Sequence, residues 1–195
     1  VFGEDNKRTV GHMIKLDTSG VVIWDKRIPV SVRTVHQMIA LPGTGYAIVG
    51  YFTANDYHVT VCIFDNNGNL ISQTQVNNND WNGYIEHYQM MRLNNDEFVI
   101  AGGNEVNNAR GLYFHFGQDF SLLDSKYYWP DSGYSILGFH GMCQQPDGNI
   151  ALTAYMNKPG VNYTTDQKLS LIRLNSSGSM LSKTILDDSV YDETP

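Results

Sequence analysis

Charge is scarce in this chain. Asp, Glu, Lys and Arg make up only 17% of its 195 residues, and the formal net charge is −7. Low charge with 12% aromatic and 42% apolar residues excludes a disordered polymer, and the length is enough to bury a core. The 13 Lys and Arg residues are scattered without forming a stripe, so no nucleic-acid partner is expected. Two cysteines make neither a disulfide framework nor a zinc site. No apolar run reaches the roughly 18 residues of a membrane-spanning helix, so no membrane insertion is expected. Helix-building Ala and Glu are sparse. Gly, Asn, Tyr and Thr are plentiful, which favours strands joined by tight turns.

What is present repeats itself. Gln37-Met38-Ile39-Ala40-Leu41 returns 52 residues later as Gln89-Met90-Met91-Arg92-Leu93, and the same step leads to Gly141-Met142-Cys143-Gln144-Gln145. The segments that follow keep step: Gly45-Tyr46-Ala47-Ile48-Val49-Gly50, Glu97-Phe98-Val99-Ile100-Ala101-Gly102 and Asn149-Ile150-Ala151-Leu152-Thr153-Ala154. A second motif runs through Leu16-Asp17-Thr18-Ser19-Gly20, Phe64-Asp65-Asn66-Asn67-Gly68 and Leu174-Asn175-Ser176-Ser177-Gly178. Phe116-Gly117-Gln118-Asp119-Phe120 is a degraded copy that has lost the final Gly. In such a turn the Asx side chain caps the backbone and the Gly takes positive φ.

Each repeat reads as four strands, A to D. The first full repeat has them near 34–41, 45–52, 58–64 and 69–76. The second has them near 86–93, 97–103, 111–116 and 121–127, and the third near 137–144, 149–155, 168–174 and 179–185. Two earlier strands, 12–16 and 21–27, take the C and D places of a partial repeat. Four antiparallel strands at a period near 50 residues are the pattern of β-propeller blades, so an all-β propeller is expected. One segment, 1–195, then holds a partial blade (1–32), blades at 33–84, 85–135 and 136–186, and the start of the next connection (187–195). Two strands and three blades fall short of a closed ring. The expectation is a fragment or processed piece of a larger propeller, completed by the rest of a longer chain or by a protein partner. The consecutive apolar residues of the A strands predict burial on both sides.

Gln145-Pro146-Asp147-Gly148-Asn149-Ile150-Ala151-Leu152, followed by Leu171-Ile172-Arg173-Leu174-Asn175-Ser176-Ser177-Gly178-Ser179, resembles the bacterial delta-60 type repeat. Ile14-Lys15-Leu16-Asp17-Thr18-Ser19-Gly20, running on to Trp24-Asp25-Lys26, is similar to propeller-like repeats of large secreted bacterial proteins. The resemblance covers most of the chain and departs most in the second repeat. It implies a secreted or cell-surface protein, often adhesive, with no catalytic motif to carry over.

Ligands of propellers usually bind where the D–A and B–C loops gather. The D–A loops here carry Asp80, Trp81 and Tyr84, then Trp129, Asp131 and Tyr134. Rings beside Asp and Asn offer a sugar or a peptide an apolar face and hydrogen-bonding edges. The plainer alternative is that the tryptophans fill gaps between blades. His36, Tyr88 and His140 share one column at the start of strand A, near the mouth of a central channel. No carboxylate column accompanies them, which favours a polar channel lining over a metal site. Cys62 and Cys143 stand in apolar columns and read as buried free thiols. Asp65-Asn66-Asn67-Gly68 lacks the ligand pattern of a calcium loop and reads as a hairpin turn. Asn162 and Asn175 head glycosylation sequons that matter only in a eukaryotic protein. No nucleophile elbow, phosphate loop or metal motif stands out, so no catalytic residue and no cofactor is assigned. The expected function is a non-catalytic module for adhesion, display or protein–protein contact. The alternatives are a carbohydrate-binding or glycan-degrading propeller, and a structural subunit of a large extracellular assembly.

Overall fold

A computed structural model of the chain describes residues 10–31, 34–41, 43–51, 59–76, 85–104, 110–128, 135–157 and 167–186. They form fourteen strands in four antiparallel sheets, with no helix among the described residues. The first sheet pairs β1 (Val10–Leu16) with β2 (Val22–Ser31). The second runs β3 (Thr34–Leu41), β4 (Gly45–Tyr51), β5 (Val59–Asp65), β6 (Leu70–Val76). The third runs β7 (Ile85–Arg92), β8 (Phe98–Asn104), β9 (Arg110–Phe116), β10 (Leu122–Tyr128). The fourth runs β11 (Ser135–Gln144), β12 (Ile150–Asn157), β13 (Gln167–Leu174), β14 (Met180–Leu186). Every four-stranded sheet is a meander in which each strand pairs with its neighbour in sequence, as the A-to-D reading requires. Among the described residues no helix is long and apolar enough to cross a membrane.

The hairpin turns share one chemistry. In the turn after β5, the Asp65 N–H donates to the Asn69 carbonyl at 2.9 Å, and the Gly68 N–H to the Asp65 carbonyl at 3.0 Å. The same pair of bonds recurs at Asp17/Val21 with Gly20/Asp17, and at Asn175/Ser179 with Gly178/Asn175. The fourth position of each turn has positive φ: 85° at Gly20, 75° at Gly68 and 74° at Gly178. Where the Gly is lost, the backbone keeps the conformation, and Phe120 is held at φ 66°. The Asx carboxylate or amide oxygen closes the turn from within, as when Asp65 Oδ1 accepts from the Asn67 and Asn69 N–H groups, both at 2.8 Å.

The chain divides into two compact units, Val1–Asn82 and Gly83–Pro195, and each contains one sheet-on-sheet packing. In the first unit, Met13, Trp24 and Ile28 of β1–β2 pack against Ile48, Cys62, Phe64 and Leu70 of the second sheet. In the second unit, Val99, Ala101, Tyr113 and Tyr128 of the third sheet pack against Phe139, Leu152, Ala154, Ile172 and Leu174 of the fourth. Side chains alternate across a strand, so each sheet has two faces. We call the face with Ile14, Cys62, Phe114 and Ile172 the front, and the face with Met13, Val61, Tyr113 and Leu171 the back. Both packings follow one rule: the back of the earlier sheet covers the front of the next.

Burial corrects the expectation for strand A. In β3, Met38 is 43% exposed and Ala40 is also exposed. The strands buried on both faces are central strands of the second and third sheets: Val59 to Phe64 of β5 are all buried, as are Phe98 to Ala101 of β8. The reason is position, because A is an edge strand of its sheet and B and C are central. Cys143 is corrected with it. It lies on edge strand β11 and is exposed, whereas Cys62, on central strand β5, is buried as expected. Burial pushes the Cys62 thiol up to about 12.

Candidate functional site

The six loop residues named from sequence, Asp80, Trp81, Tyr84, Trp129, Asp131 and Tyr134, lie outside the described residues, and so does Asn162. The column of His36, Tyr88 and His140 is described, and it falls on an irregularity in each A strand. The β3–β4 register jumps from Val35 to Gln37, the β7–β8 register from Glu86 to Gln89, and the β11–β12 register from Phe139 to Gly141. Each column residue therefore sits at a β-bulge, a device that re-aims a side chain. The outcomes differ. Tyr88 is buried at 1% exposure with its ring over Gly102 of β8, where an added Cβ would stand 2.4 Å from the ring. His140 is exposed, its ring edge-on to Tyr155 of β12 at 4.6 Å. His36 is half-buried. Tyr88 and His140 each lie against the neighbouring strand of their own sheet. No cluster of three or more metal-ligating His, Cys, Asp or Glu occurs among the described residues. Asn175 is engaged in its turn, its Oδ1 accepting from the Ser179 N–H at 2.8 Å.

A groove that sequence reasoning did not single out opens at the A–B and C–D turn ends of the third and fourth sheets. It holds about 510 Å3 and is lined by Asn95, Glu97, His115, Asp124, Gln144 and Ser177, with Leu93 and Pro146 as its apolar part. His115 Nε2 lies 2.7 Å from Glu97 Oε2, and both side chains are largely covered. The Asn94 N–H donates to Gln144 Oε1 at 2.8 Å, tying the A–B turn of one sheet to strand A of the next. Below, the Tyr128 hydroxyl donates to the Gly178 carbonyl at 2.5 Å. Burial raises the Tyr113 hydroxyl above the ordinary phenol range, with Asp124 and Glu97 adding to the effect. Tyr128 is raised in the same way, by burial first and then by Tyr113 and Asp124.

Chemically, the groove offers two carboxylates, an imidazole, amides and hydroxyls, a lining suited to hydrogen-bond donors. The His115–Glu97 pair also has a structural counterpart. Arg173, in the same column of strand C, reaches back to the A–B turn of its own sheet, donating to Gln145 Oε1 at 2.8 Å and to Asp147 Oδ2 at 3.0 Å. Both pairs tie a C strand to the A–B turn beside it. The signal available in the sequence was the column Lys15, Ile63, His115, Arg173, which gives no sign of the acid across the hairpin. No family model matches the chain, and no curated protein matches it.

Proposed function

We propose that the chain is a β-propeller segment of a secreted or cell-surface protein, resembling the delta-60 type repeats, and that it acts as a non-catalytic module for adhesion or protein–protein contact. The observation that carries the proposal is the back-to-front packing of four-stranded meanders, found once in each unit. Sheets stacked in that order are how propeller blades are arranged. A scaffold so occupied with its own turns leaves recognition to its loops, and the loops between D and A carry Trp81 and Trp129 beside Asp80 and Asp131. The glycan-binding reading rests on the same loop residues. The turn-end groove has no Trp, Tyr or Phe among its described lining residues, so it lacks the ring on which a sugar would stack.

An array of extracellular proteins and glycans probed with the whole chain tests the proposal. Binding to protein probes is expected. Trp81→Ala with Trp129→Ala should abolish it and leave the melting temperature unchanged. Turnover of a glycan probe overturns the non-catalytic reading. Binding to glycan probes alone replaces protein contact with sugar recognition. A fall in melting temperature with binding intact makes the tryptophans packing residues.

A further inference from the structure

The two packings differ at one seat. In the first, the Trp24 ring of β2 lies on the C–D turn of the second sheet, 2.9 Å from the Cβ position of Gly68. It also stands edge-on to Tyr46 of β4, with centroids 6.3 Å apart. Trp24 pairs with Lys15 across its hairpin as Asp124 pairs with His115, so Trp24 and Asp124 hold the same position of strand D. Side chains at that position point to the same face. In the second packing the Tyr113 ring, from strand C, covers the turn glycine instead, 2.5 Å from the Cβ position of Gly178. A carboxylate does not fill the space of an indole. The groove of about 510 Å3 opens there, with Asp124, His115 and Glu97 on one side and Pro146 and Ser177 on the other.

The lining that replaces the indole is acidic. His115 pairs directly with Asp124 across β9–β10, and its Nε2 lies 2.7 Å from Glu97 Oε2. Two carboxylates thus flank one imidazole. The groove has no Lys or Arg among its described lining residues. Lys126, further along β10, approaches Asp124 Oδ2 at 3.3 Å. After burial itself, the charges of Asp124 and Glu97 help to raise the Tyr113 hydroxyl above the ordinary phenol range, so their field extends beneath the groove. On the facing wall the polar side chains are bonded within their own turns. Gln144 Nε2 donates to the Gly148 carbonyl at 3.3 Å, and the Ser177 hydroxyl to Asn175 Oδ1 at 2.8 Å. The groove therefore offers negative charge in a slot that holds a flat ring in the sister packing.

We propose that this groove binds the guanidinium group of an arginine side chain from a partner protein, with Glu97 and Asp124 as its acceptors. Arginine fits for two reasons. Its planar head matches a slot that takes an indole in the first packing. Its five N–H donors spread over a plane and can meet carboxylates on separate strands, which a compact lysine ammonium does less well. The groove lies at the turn end of the strands, whereas β10 runs on to Tyr128 at the other end. The site is therefore separate from Trp81 and Trp129 and goes beyond the function proposed for them.

The probe is the peptide acetyl-Gly-Arg-Gly-amide, added to the whole chain and followed by NMR. It should shift the His115 ring and the backbone amides of Asn95 and Ser177 saturably, with a Kd of about 1 mM, and bind more weakly as salt is raised. The citrulline peptide, similar in shape but neutral, should not bind, and the lysine peptide should bind about fivefold more weakly or worse. Glu97→Gln keeps a hydrogen-bonding partner for His115, and Asp124 is exposed, so Glu97→Gln and Asp124→Asn leave the core alone. Each should raise the Kd about tenfold. Asp124→Trp restores the residue of the first packing and should close the groove to the peptide with the melting temperature kept or raised. No saturable shift overturns the inference, and so does equal binding of the citrulline or the lysine peptide. Wild-type affinity in all three variants overturns it as well. Free L-arginine binding more tightly than the peptide overturns the assignment to a protein side chain. Trp81→Ala with Trp129→Ala should leave peptide binding unchanged, and its loss there would overturn a site separate from the loops. A failed protein array with peptide binding intact overturns only the proposed function.

Discussion

At the scale of single residues, the turn glycines separate two constraints that usually act together. Gly20, Gly68 and Gly178 share positive φ, but only the last two lie under an aromatic ring. Placing a Cβ in the left-handed region costs about 1–2 kcal/mol. Forcing it into a packed ring adds about 1–3 kcal/mol. Gly68→Ala and Gly178→Ala should therefore lower stability in urea clearly more than Gly20→Ala, and equal losses at all three would show that the rings yield freely. The capping aspartates give a pH signature. Asp17 is held below the usual carboxylate range by the Ser19 hydroxyl first, Asp65 by the Asn69 N–H, Asp119 by the Ser121 hydroxyl and Asp147 by the Asn149 N–H. A carboxyl lowered in the folded state adds stability that is present above its unfolded pKa and lost as pH falls through the folded value. Stability should thus fall with acid below about pH 4, the ordinary carboxylate range. Replacing the four aspartates by Asn, the residue nature uses at Asn175, should flatten that fall. An unchanged slope in acid titrations followed by fluorescence would remove the caps as its cause.

At the scale of elements, centrality in the sheet decides chemistry as well as burial. Cys62 on a central strand has its thiol raised and covered, and Cys143 on an edge strand faces out. A maleimide at pH 8 should modify one thiol of the native chain, at Cys143, and two after denaturation. Rapid labelling of Cys62 in the native state would mean that β5 opens. The strands themselves were legible in sequence, because apolar alternation and Asx-Gly turns are local signals. The second repeat is read as strands at 97–103 and 111–116, and the structure forms them at Phe98–Asn104 and Arg110–Phe116. What was not legible depends on neighbours. A run such as Gln37-Met38-Ile39-Ala40-Leu41 looks buried on both sides until its strand proves to be an edge. The bulges at His36, Tyr88 and His140 insert residues that keep the column in sequence and give each a different setting. The bond between His115 and Glu97 joins two strands across a turn, and neither residue shows an unusual local pattern.

At the scale of the whole chain, the sheets should not open together. The fourth sheet and the back of the third share a cluster that includes Leu152, Ala154, Ile172 and Leu174, all at 0% exposure. The first sheet has two strands and contributes Met13, Trp24 and Ile28 to a smaller cluster. A two-stranded sheet is marginal alone, so β1–β2 depends on what its back covers. Local opening follows the number of buried apolar contacts and the exposure of the backbone bonds. Hydrogen exchange of the intact chain should therefore run fastest in β1 and β2 and slowest in β8, β9 and β12, with the edge strands β10 and β14 between. Trp24→Ala should speed exchange in β1, β2 and the Gly68 turn and leave β11–β14 unchanged, because among the described residues the ring packs within the cluster of the first two sheets. A uniform rise across all four sheets would mean that the chain unfolds as one cooperative body, and that the back-to-front contacts within each unit do not set its order of opening.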